Sequence, residues 1–170
     1  RPFRTLCTVE LVLYPSPILA ESAAPIHEID GGTRLLAEQM LDLMENERGI
    51  GLAAPQVGSL SRLFVCRLPR ESRRWAFANP EIVGCSRRTV RFEESCLSVP
   101  GVYAHVRRPA WVRIRALDLE GRRVEMKAGG LLARVIQHEV DHLDGVMFLD
   151  HLKDRRRYRA LEHYIGCRSA

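Results

Sequence analysis

His138 and His142 stand four residues apart, with Glu139 beside the first, in a segment otherwise dominated by Leu131, Leu132, Val135, Ile136 and Val140. A chain must bury such a segment, and burying its imidazoles and carboxylate is costly unless something binds them. The apolar spacing predicts a helix over Leu131 to Leu143, entered after Gly129-Gly130 and closed by Gly145. Positions i and i+4 of a helix differ by about 40° in azimuth, so both imidazoles face one point. Imidazole nitrogens at that spacing grip one divalent cation, and Glu139 lies within reach of a water on it. A carboxylate there takes the water's proton and returns it to a leaving group. An exposed helix face with histidines four apart by chance is the bland alternative; the apolar setting argues against it.

The rest of the chain has to wrap this helix. Leu35, Leu36, Met40, Leu43 and Met44 recur at helical spacing over Thr33 to Glu47, with Asp30 or Thr33 as cap and Gly49 after the end. Short segments rich in β-formers follow at Leu63 to Leu68, Trp75 to Val83, Thr89 to Phe92, Trp111 to Leu119 and Arg123 to Lys127. Glu120-Gly121 reads as a turn between the last two. Leu152 to Ile165 reads as an amphipathic surface helix, and Pro15, Pro17 and Pro25 suit an extended or turning start. Helix, strands, helix, helix is an α+β order: mostly antiparallel strands packed around a central helix, with a C-terminal surface helix.

At 170 residues the expectation is one catalytic domain over 1–170, large enough to fold without disulfide staples. No apolar run is long enough to cross a membrane, and Val9 to Leu13 is too short for a secretory signal core. Five cysteines, an odd number with no C-x-x-C, suit a reducing compartment where one thiol has a special role. The net charge of +5 includes the cluster Arg155-Arg156-Arg157 with Arg159. A solvated helix face is its default reading; contact with an anionic partner such as ribosomal RNA is the other.

Two histidines do not complete a metal site. The pattern H-E-x-x-H-x-x-G-x-x-H fits at Gly145, but Phe148 occupies the third His position. Glu162 on the later helix and Cys96 in Glu94-Ser95-Cys96-Leu97-Ser98 are both candidates, and spacing does not separate them.

Three motifs in order resemble the peptide deformylase family. They are Gly49-Ile50-Gly51-Leu52-Ala53-Ala54-Pro55-Gln56, Glu94-Ser95-Cys96-Leu97-Ser98, and Gln137 to Gly145. The similarity begins at Val12-Leu13-Tyr14-Pro15 and reaches the last helix. The resemblance implies that Cys96, His138 and His142 hold one divalent metal, natively Fe(II), with Zn, Ni or Co also accepted. It implies removal of formate from N-formylmethionine at the start of nascent polypeptides, by a metal-bound hydroxide with Glu139 as general base and acid. The Gln56 amide and Leu97 backbone N–H would stabilise the oxyanion. Ile50, Leu131 and Val135 would form the methionine pocket, although core packing suits them equally. Gly49 and Gly51 would let a peptide add along that segment like a strand. Ribosome contact through Arg155, Arg156 and Arg157 and a cytoplasmic, bacterial location also follow from it.

Ser95 stands where the family usually has Gly. If the position needs a positive φ, Ser strains it by roughly 1 kcal/mol or more and shifts Cys96; in an ordinary strand Ser is harmless. Two other readings therefore stand beside the first: a zinc peptidase using His138, His142 and Glu162, or an impaired deformylase-like metal-binding protein.

Overall fold

Asp30 starts the first helix by accepting the Thr33 backbone N–H at 2.7 Å, leaving α1 to run from Gly31 to Asn46. A computed structural model describes residues 9–168; Cys7 and the first part of the proline-bearing segment lie outside them. The helix end differs from the sequence expectation. Arg48, not Gly49, takes the left-handed conformation, with φ 58°. Gly49 is needed for space instead: a Cβ there would sit 2.7 Å from Leu97 Cδ1.

Seven strands follow: β1 (Gly51–Ala53), β2 (Leu63–Cys66), β3 (Trp75–Cys85), β4 (Thr89–Cys96), β5 (Val99–Pro109), β6 (Trp111–Leu117) and β7 (Arg123–Gly129). Every pairing between them is antiparallel, in a five-stranded sheet of order β1-β2-β3-β6-β7 and a separate β4-β5 ribbon. β1 and β5 escape the sequence reading. β1 has only three residues, and β5 is masked by Pro100-Gly101 at one end and Arg107-Arg108-Pro109 at the other. Period-2 alternation nevertheless runs through β5, with Val102, Val106 and Arg108 buried between exposed Tyr103, His105 and Arg107.

The sheet is covered on both faces. Leu63 and Val65 of β2 pack with Met40 and Met44 of α1. Phe64, alternating with them, joins Phe77, Ile114 and the central helix α2 (Gly130–Leu143) through Ile136 and Val140. Four successive buried residues in β2 follow from this arrangement. Gly145, φ 72°, ends α2 where a Cβ would press on the Ala20 carbonyl. A third cluster joins the β4-β5 ribbon to the turn around Phe148 and to α3 (Asp154–Arg168). Tyr164 is the residue α3 buries, and its hydroxyl donates to the Tyr14 carbonyl at 2.7 Å. No described helix is long and apolar enough to cross a membrane.

Candidate metal centre

Cys96 ends β4, and Leu97-Ser98 form the tight turn into β5. That turn aims the thiol at α2. Cys96 Sγ lies 3.3 Å from His142 Nε2, which lies 3.2 Å from His138 Nε2. All three are buried, and their ligand atoms fall within 4.8 Å of one another. One sulfur and two imidazole nitrogens make a donor set for a single borderline or soft divalent cation. The electrostatics agree. With only protons to share, His138 is pushed up to about 10: burial opposes the charge, but the Cys96 sulfur and Glu94 carboxylate beside it prevail. Burial and the adjacent His138 hold His142 well below the ordinary histidine value. The buried trio thus favours positive charge beside the sulfur.

Each group is oriented by a second one. Gln56 sits on the short helical turn after β1; its side-chain oxygen accepts the Ala53 N–H at 2.9 Å. The amide nitrogen is thereby turned toward Cys96 Sγ, 3.4 Å away, and donates to Ser98 Oγ at 3.1 Å. The opening Val12-to-Tyr14 stretch laces this corner, with Val12 N–H bonded to the Gln56 carbonyl at 2.7 Å and Tyr14 N–H to the Ser98 carbonyl at 2.9 Å. Glu139 is 3% exposed, and its Oε2 has no protein partner. Burial raises its pKa to about 7 against the opposing pull of His138 and Arg108.

Sequence reasoning missed the charge network behind these groups. Glu94 lies 3.1 Å from His138 Nδ1, fixing the ring so that Nε2 faces the cluster. Arg108 holds Glu94 with two bonds of 2.6 and 2.9 Å, and Arg134 adds a third of 2.6 Å. Arg108 continues to Asp141 at 2.7 Å, and Asp141 meets His151 at 2.7 Å. The available signal was polar residues at buried positions: Arg134 within the apolar helix, Glu94 and Arg108 on the inward face of strands.

Glu162 is exposed on α3 and takes no part in the cluster. Ser95 is an exposed β4 residue and is not among those with positive φ, so the strain that would displace Cys96 is absent. The other cysteines are not all packing residues: Cys66 is buried, but Cys85 and Cys167 are exposed at the ends of β3 and α3.

The cluster opens into a cleft of about 730 Å³, which Ile50, Gly51, Gln56, Leu97, Leu131 and Val135 help to line. Val135 is buried, Ile50 is half-buried, and Leu131 is exposed at 40%. Gly51 is required by close approach, since a Cβ there would collide with Glu139 Oε1 and sit 3.0 Å from Val135 Cγ1. β1 is an edge strand of the sheet, so its outer edge is available for pairing.

The family profile described as Polypeptide deformylase matches residues 8–158. The curated peptide deformylase of Treponema pallidum (strain Nichols) is 42% identical over 160 residues, spanning 94% of this chain and 98% of that one. The crystal structure of peptide deformylase from Ehrlichia chaffeensis superposes with TM-score 0.91 at 33% identity, covering 95% of this chain and 97% of that one. The corresponding enzyme structure from Legionella pneumophila gives 0.90 at 36% identity, covering 95% of each chain. The Cys96, His138 and His142 cluster, the cleft it opens into and these similarities agree: the chain belongs to the polypeptide deformylase family.

Proposed function

We propose that this chain, acting as one catalytic domain, removes the formyl group from N-formylmethionine at the start of nascent polypeptides. The observation that carries the reading is the convergence of Cys96, His138 and His142 at the floor of a cleft that Glu139 also lines. When bound, a divalent ion supplies Lewis acidity, lowering the pKa of a water and polarising the formyl oxygen. The sulfur-and-nitrogen donor set suits Fe(II) as the native ion and admits Zn, Ni or Co.

The chain's own residues do the rest. Glu139, poised by burial near neutral pH, takes the attacking water's proton and hands it to the departing amine nitrogen. The Gln56 amide, preset by its bond to Ala53, and the Leu97 backbone N–H receive the developing oxyanion. Val135, Ile50 and Leu131 enclose the methionine side chain, and the substrate backbone runs along the free edge of β1 beside Gly51. The enzyme works in the bacterial cytoplasm beside the ribosome, with Arg155 facing an anionic partner. Arg157 is engaged by Asp150 at 2.8 Å and adds less.

Two results check the assignment of the metal ligands and of the cleft. Cys96→Ala should lose stoichiometric metal after dialysis while Glu162→Ala keeps it; the reverse pattern identifies the zinc-peptidase arrangement. Gly51→Ala should lower kcat by about 100-fold through displacement of Glu139, with metal content unchanged. Steady-state kinetics beside metal analysis reads both effects.

A further inference from the structure

A second groove, about 430 Å³, runs between the outer edge of β5 and α3. Arg91, His105, Arg156, Arg159 and His163 line it, and no carboxylate does. On α3, Arg156, Arg159, Ala160 and His163 follow i, i+3, i+4, i+7 spacing and form one helix face. Opposite them are Val102, Tyr103, Ala104 and His105, four consecutive residues of β5. Consecutive strand residues point to opposite faces, so a groove touching all four follows the strand's edge. β5 pairs with β4 on one side, so the edge that Val102 to His105 present to α3 is its other one, as in a strand that takes up an extended chain, and Arg91 reaches the groove from β4. None of the three arginines is ion-paired among the described residues, unlike Arg157 beside them.

The groove adjoins the catalytic cleft. Tyr103, 65% exposed, lines both. The cleft follows β4 from Cys96 back to Phe92, and the next β4 residue, Arg91, lines the groove. His105 pairs with Glu93, so the basic residues begin three positions from Cys96 and reach Arg91 at five. At about 3.3 Å per residue that is roughly 10–17 Å, the reach of three to five extended residues.

We propose that this groove binds acidic residues of the enzyme's own peptide substrate, from about the fourth position onward, while the formylmethionine occupies the cleft. The proposal rests on the deformylase reading above. A strand edge joined to the cleft favours a peptide over a nucleic acid, whose phosphates would engage the arginines but have no use for the edge.

The test uses formyl-Met-Ala-Ser and two ten-residue extensions of it, one rich in Asp and Glu, the other rich in Gln. At low salt the metal-loaded parent should show a kcat/KM about fivefold higher for the acidic extension than for the Gln extension, carried by KM. The preference should vanish at high salt and in Arg156→Glu/Arg159→Glu, and separately in Arg91→Glu, with tripeptide turnover unchanged. Equal kcat/KM for the two extensions, or a preference that survives charge reversal, overturns the proposal. Failure of the parent on the tripeptide overturns the deformylase reading and the proposal with it. If oligouridylate binds the parent but not the reversed variants, while the extensions are equivalent, the occupant is nucleic acid and the proposal is wrong.

Discussion

Glu94→Ala is expected to destabilise the fold by about 3–5 kcal/mol, because it leaves buried Arg134 without a carboxylate and Arg108 with Asp141 alone. Arg108 is 3% exposed and Arg134 9%, and both direct their shortest bonds at this one carboxylate. For a chain of this size such a loss lowers Tm by roughly 10 °C. Glu94→Gln should fall between parent and Ala, since it keeps the shape and loses the charge. Urea unfolding of the metal-free proteins reads the fold effect directly. In the metal-loaded protein Glu94→Ala should also weaken metal binding about 10-fold to 100-fold, because His138 loses the partner that orients its ring. A Glu94→Ala protein as stable as the parent would mean that the two arginines find water or other acceptors. The pH dependence has a definite sign. Burial opposes ionisation of Glu94, but bonds from His138 and Arg108 outweigh it and hold the carboxyl far below its ordinary 4.5. A lowered folded-state pKa stabilises above the unfolded value, so this contribution is fully present at neutral pH and is lost as pH falls below about 4.5.

Glu139→Ala is expected to cut formate release by about 10²–10⁴-fold while leaving the metal in place. Glu139 is not a ligand in the cluster, but it lies beside it with one oxygen free of protein partners. Its removal therefore takes away proton transfer and not the Lewis acid. Glu139→Gln separates the two parts of its role, keeping volume against Gly51 while abolishing the base. Metal loss in these variants, or activity within about threefold of the parent, would assign the proton transfer elsewhere.

The parts of this protein legible in sequence are those where one local pattern carries the information. The apolar period around His138 and His142 defined α2 to within a residue, and of the two caps that the sequence offered for α1, Asp30 is the one used, with the helix starting two residues before Thr33. Motifs brought Gln56 and Cys96 forward as partners of α2. What stayed hidden depends on contacts between distant segments. Glu94 and Arg134 are forty residues apart and meet only when the ribbon lies across α2. The role of Gly49 is set by Leu97, a neighbour in space that no spacing rule reveals. β5 was hidden by its proline-bearing ends, although Val102 and Val106 alternate as a half-buried strand should. Ser95 could be weighed only once its backbone was seen to be ordinary strand.

Formate release from a formyl-Met peptide by anaerobically prepared, iron-loaded protein is the decisive measurement for the deformylase activity. Oxygen is excluded because Fe(II) and a cysteine sulfur bound to it are open to oxidation. Turnover by the parent is expected, with loss on removal of the metal and recovery when Fe(II) is returned. A protein that holds one metal ion at Cys96, His138 and His142 yet releases no formate would contradict the deformylase reading.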